Sequence, residues 1–94
     1  MNKFKIFGLV LLTSVSVSQA QDINQAKKAI DAEKYEEAKT ILKSILQVKP
    51  SNGMASFILG NVYLTQSIKD SAKIYFDKGL AASEAARFNN IGLG

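Results

Sequence analysis

Ninety-four residues, 47% apolar and 21% charged, have the composition of one small globular domain. Histidine and cysteine are both absent, which removes the usual general base, the thiolate nucleophile, the common transition-metal ligands and any disulfide staple. The formal charge of +4 does not point to nucleic acid. Lys27, Lys34, Lys39, Lys43, Lys69 and Lys73 alternate with Asp31, Glu33, Glu36, Glu37, Asp70 and Asp77, a pattern of solvated helix faces rather than a basic stripe.

The chain begins with a cationic "MNKFK", an apolar "IFGLVLLTSVSV" and a small-residue close, "SVSQA". This three-part pattern is that of a secretory signal peptide, and an apolar run of about twelve residues is short for a ~30 Å hydrocarbon core. Residues 1–20 are therefore expected to be a signal peptide, cleaved after Ala20 so that Gln21 starts the mature chain. The alternative is an uncleaved N-terminal anchor. Cleavage removes Lys3 and Lys5 and leaves ten basic residues against eight acids. With no cysteine to carry a lipid, no stable membrane insertion is expected after cleavage, and the address is periplasmic or extracellular.

From Asp22 the apolar residues recur at helical spacing. Ile23, Ala26 and Ile30 line one face of a helix over 22–32; Tyr35, Ala38, Ile41, Leu42, Ile45 and Leu46 line another over 35–48. Pro50 ends the second helix, and "PSNG" offers Ser51 or Asn52 as cap for the next. That third helix carries Met54, Phe57, Ile58, Leu59, Val62, Tyr63 and Leu64. After a break at Gln66-Ser67, a fourth carries Ala72, Tyr75, Phe76, Gly79 and Leu80 on one side.

Sliding the chain by thirty-four residues superposes these segments. Ala38-Lys39 falls on Ala72-Lys73, Leu42 on Phe76, Leu46 on Leu80, Ala26 on Gly60 and Ile30 on Leu64. The same shift puts Phe57 on Ile91 and Leu59-Gly60 on Leu93-Gly94, so that the closing "RFNNIGLG" reads as the start of a third copy. The small residues Ala26, Ala38, Gly60, Ala72 and Gly79 let helices approach, while Leu42, Leu59, Tyr63, Phe76 and Leu80 fill the space between layers. One hairpin buries only part of its apolar face, and stacked neighbours complete the core.

Leu59-Gly60, Tyr63, Ala72 and Phe76 in the second copy, with Ala26, Ala38, Leu42 and Pro50 in the first, give the chain a pattern that resembles the tetratricopeptide repeat family. It departs from that pattern at Ser56, where an aromatic is usual, at Glu84 in place of proline, and at Gln25 and Ala29 in place of leucine and tyrosine. The resemblance covers residues 22–94 and implies an all-α fold, an α-solenoid of antiparallel helix hairpins in an exported, bacterial-type protein. Its parts would be a degenerate first helix pair over 21–52, a second pair over 53–86, and the truncated first helix of a third repeat over 87–94, with further repeats or another domain beyond Gly94.

The resemblance also implies a function. First helices of such repeats line a groove that takes up a segment of a partner protein or peptide, and the positions that would face it are Ile23, Lys27, Ile30, Phe57, Asn61, Leu64 and Ile91. Asn61 is similar to an asparagine that some members use to hold a peptide backbone or terminal carboxylate. Those members also need basic residues where Ile23 and Phe57 stand, which argues against such a clamp. No catalytic residue set, cofactor motif or metal site is expected: Glu33, Glu36 and Glu37 sit at a turn and helix start, where acids favour the helix dipole. The expectation is a non-catalytic scaffold that binds protein or peptide. The alternatives are an N-terminal appendage of a larger envelope enzyme or transport component, or a structural spacer.

Overall fold

The computed structural model describes residues 19–90, with side chains from 20 to 87. These residues form four helices and no strand: α1 (Gln19–Asp31), α2 (Tyr35–Val48), α3 (Gly53–Thr65) and α4 (Lys69–Asn90). The fold is all-α, as expected. Each helix packs extensively on its chain neighbour, α1 on α2, α2 on α3 and α3 on α4.

The thirty-four-residue period reappears in the backbone. It separates Tyr35 from Lys69, the first residues of the second helices. It also separates Glu33 from Ser67, the non-glycine residues with positive φ among those described, at 60° and 63°. The Glu33 amide donates to the Ile30 carbonyl at 2.9 Å and the Lys34 amide to Ala29 at 2.8 Å; Ser67 donates to Leu64 at 2.9 Å and Ile68 to Tyr63 at 2.8 Å. This pair of bonds around a left-handed residue satisfies the last carbonyls of a helix. It also turns the chain within three residues, so that α1–α2 and α3–α4 are helix hairpins.

Between the hairpins, Pro50 cannot extend α2, and the Asn52 side chain accepts a hydrogen bond from the Ala55 amide at 3.1 Å. Asn52 is thus the cap of α3, one of the two residues expected to serve. The core follows the small-and-large pattern closely. Ala26, Ala38, Leu42, Ala55, Leu59, Val62, Tyr63 and Ala72 are buried, as are Gly60 and Gly79.

Inside the second hairpin the register is set by a reciprocal contact. The Phe57 ring of α3 lies against Gly79 of α4, where a Cβ would stand 3.0 Å from ring carbons; one turn on, the Phe76 ring of α4 lies against Gly60 of α3, where a Cβ would stand 2.8 Å away. Each glycine makes room for the aromatic of the opposite helix. The two helices run antiparallel because the pairs advance in opposite directions along the chain.

Two features differ from the expected pattern. Leu80, expected between layers, is 56% exposed: at 100° per residue it sits on the flank of α4 away from Tyr75 and Lys78, beside the Ala72–Phe76–Gly79 stripe that meets α3. In addition, α4 continues through the expected boundary between residues 86 and 87. Glu84 occupies the place matched to Pro50, and Ala85 and Ala86 follow it, all strong helix formers with no breaker among them. Ile91 and Leu93 of the expected third copy lie outside the described residues, as do residues 1–18. No described helix is long and apolar enough to cross a membrane.

Candidate functional site

The residues expected to line a first-helix groove do not share one environment. Ile23 is buried in the core, and Ile30 is half-buried against it. Phe57 is drawn into the α3–α4 interface by Gly79. Lys27 and Asn61 are exposed and Leu64 is 49% exposed, while Ile91 lies outside the described residues. Extensive packing joins chain neighbours only, so α1 and α3, like α2 and α4, do not pack extensively on one another.

A better-defined concavity opens elsewhere, between the second helices of the two hairpins. This cleft of about 700 Å³ has one wall from α2 (Lys43, Leu46, Gln47), another from α4 (Tyr75, Lys78, Ala81, Ala82) and an end formed by Pro50 and Ser51. Lys43, Leu46 and Gln47 follow at intervals of three and one, which keeps them on one helical face, and Pro50 lies just beyond the end of that helix. The alanines leave the cleft open where larger residues would close it.

Behind the cleft the two tyrosines of the second hairpin stack, with ring centroids 5.6 Å apart and planes 7° from parallel. Lysines surround them. Lys39 and Lys43 place their ammonium groups 4.9 Å and 5.6 Å from the Tyr63 ring centroid, and Lys78 lies 5.1 Å from that of Tyr75. Such contacts are each worth about 0.5–1 kcal/mol near a surface, and the stacked pair adds roughly 0.5–1.5 kcal/mol beyond its buried area. A hydrogen bond with the Tyr63 hydroxyl, opposed by desolvation, holds the Lys43 ammonium above the ordinary lysine range.

The lysines differ in what neutralises them. Lys39 is not a solvated surface residue: its side chain is 12% exposed, and its ammonium bonds Glu36 Oε2 at 2.9 Å. Glu36 also accepts a hydrogen bond from Gln66 Nε2 at 3.1 Å, which ties the start of α2 to the α3–α4 turn. Lys73 pairs with Asp77 at 2.8 Å. Lys43 and Lys78 form no ion pair among the described residues.

Compared with known proteins, the chain matches no family model, and no curated protein or solved structure matches it significantly. Its own residues therefore have to carry the functional reading. Among those described, no group of three acids, histidines or cysteines is placed to hold a metal ion. What the cleft offers is two positive walls around an apolar floor. That arrangement can bind and orient, and none of its lining groups is paired as nucleophile and base.

Sequence patterning did not single out Lys43, Tyr75 and Lys78 as a set. The lysines looked like ordinary solvated positions, and nothing in helical periodicity says that α2 and α4 will face each other across a gap. One usable signal was present: Phe-x-x-Gly occurs at Phe57–Gly60 and again at Phe76–Gly79, an antiparallel match that sets the α3–α4 register and hence the side of α4 turned toward α2.

Proposed function

We propose that this chain is an exported, non-catalytic helical-repeat module, of the tetratricopeptide type, that binds a protein or peptide partner in the cell envelope or outside the cell. The observation that carries this reading is the recurrence of one hairpin at thirty-four residues, down to the left-handed turn residues Glu33 and Ser67. Repeated hairpins present the same face at a regular interval, and such faces suit the capture of an extended or helical segment. The open cleft between α2 and α4, lined by apolar and basic side chains, supports binding over catalysis.

Panning a displayed peptide library on the purified chain, followed by titration calorimetry of enriched peptides, tests the module. Saturable one-to-one binding is expected; enrichment of nothing that binds in solution would remove the reading. The export half has its own test. Expression of the whole chain in an exporting cell should yield a protein beginning at Gln21, whereas intact Met1 on a cytoplasmic species would sink it.

A further inference from the structure

Every charged residue that lines the α2–α4 cleft is a lysine: Lys43 on one wall and Lys78 on the other, with no aspartate or glutamate among the lining residues. The remaining lining is largely uncharged and apolar, from Leu46, Tyr75, Ala81, Ala82 and Pro50. The two nearby lysines that do have acid partners, Lys39 with Glu36 and Lys73 with Asp77, stand outside the cleft. Two cations with no ion-pair contact among the described residues, facing each other across an apolar trough, repel like charge and leave donors for carboxylates.

Both lysines are also held in place before any ligand arrives. Lys43 lies against Tyr63 and Lys78 against Tyr75, and the stacked rings connect the two. Fixing a flexible lysine in advance reduces the entropy lost when it engages a carboxylate. Along α2, which ends at Val48, the wall from Lys43 to the helix end rises about 7–8 Å at 1.5 Å per residue, which matches about two residues of extended peptide.

Resting on the binding-module reading above, we infer that this cleft recognises a short acidic peptide segment. An aliphatic side chain would sit over Leu46, Tyr75 and Ala82, and carboxylates on either side of it would bond Lys43 and Lys78. The partner is thus a protein with an exposed acidic segment interrupted by leucine, isoleucine or valine.

The test uses three capped six-residue peptides, each with two central leucines flanked by pairs of glutamate, glutamine or lysine, titrated into the isotopically labelled chain and read by amide chemical shifts. The acidic peptide should perturb Lys43, Leu46, Tyr75, Lys78 and Ala82 and bind tightest, the glutamine peptide more weakly and the lysine peptide not at all. Raising the ionic strength should weaken the acidic peptide most. Lys43→Glu and Lys78→Glu should each weaken it by about tenfold, since each replaces an attraction with a repulsion, and Lys69→Glu, outside the cleft, should leave it unchanged. The same spectra report whether each variant is folded.

Equal binding of the acidic and glutamine peptides, or indifference to both charge reversals, would overturn the inference. Perturbation confined to Lys27, Asn61 and Leu64 would overturn it while leaving the module reading intact, and so would silence toward all three probes if library-selected peptides bind elsewhere. Tighter binding of decanoate than of the acidic peptide would reassign the cleft to a small amphiphile and overturn the peptide assignment.

Discussion

Glu33 and Ser67 share a left-handed backbone, with φ of 60° and 63°, and each ends the first helix of its hairpin with the same two hydrogen bonds. An L-residue in this conformation costs about 1–2 kcal/mol, which glycine avoids at the expense of roughly 0.5–1 kcal/mol of extra unfolded-state freedom. Glu33→Gly and Ser67→Gly are each expected to raise stability by about 0.5–1 kcal/mol. The effects should add, because the two turns share no partners. Urea unfolding of both single variants and the double variant checks this; a loss of stability in either single variant would mean that its turn is not left-handed in solution.

Gly60 is the tightest position of the second hairpin. A Cβ there would meet two Phe76 ring carbons at 2.8 Å and the Ala72 carbonyl oxygen at 3.2 Å, so Gly60→Ala must push the helices apart or displace the ring. Overpacking of this kind costs about 1–3 kcal/mol, enough to outweigh the ~1 kcal/mol that alanine gains in helix propensity. Gly53→Ala, whose Cβ would meet only ordinary contacts at 3.4 Å and beyond, should not destabilise. Phe57→Ala is expected to unfold early while leaving peptide binding unchanged in protein that is still folded, because Phe57 packs on Gly79. Thermal melts of the three variants, with calorimetry on Phe57→Ala, separate these outcomes.

Much of the fold was legible because burial selects residue size at helical spacing. Leu42, Leu59 and Ala38 could be assigned to the core from the thirty-four-residue match alone, and Asn52 could be seen as a cap from its place after Pro50. An apolar stripe does not say which neighbour covers it, however. Ile23 looked like a groove residue and is buried, while Leu80 looked buried and is exposed. At Glu84, which stands where the first copy has Pro50, the local preference of Glu84, Ala85 and Ala86 for helix carries α4 past the expected boundary between residues 86 and 87. The cleft was hidden for a different reason. Lys43 and Lys78 lie in different hairpins, and their proximity depends on how α2 and α4 both pack on α3, which no local pattern encodes.

Ser56 is 1% exposed, and its hydroxyl has no hydrogen-bond partner among the described residues. A buried hydroxyl left unpaired costs about 1–3 kcal/mol, and serine is also a poorer helix former than alanine. Ser56→Ala is therefore expected to stabilise the protein by about 1 kcal/mol. Enlarging the same site with Ser56→Leu should overpack the α3 contacts and destabilise by about 1–3 kcal/mol. A paired set of denaturation curves decides it: destabilisation by alanine would show that the hydroxyl has a partner, and tolerance of leucine would show that the site has spare volume.

Glu36 makes stability depend on pH in a direction that can be stated. Its carboxyl is held below the ordinary glutamate value of 4.5, first by the hydrogen bond from Lys39 and then by that from Gln66. The unfolded chain therefore takes up the proton at higher pH than the folded one. The contribution of Glu36 is fully present above about pH 4.5 and is lost as pH falls through the lower, folded value. Because Glu36 is exposed to solvent, the effect is small and screened by salt. At low salt, the drop in melting temperature from about pH 6 to about pH 3 should be smaller for Glu36→Gln than for the unaltered chain. Other carboxylates titrate in both proteins and cancel in the difference. Identical drops would mean that Glu36 does not hold Lys39 and Gln66 in solution, and the tie between the start of α2 and the α3–α4 turn would go with it.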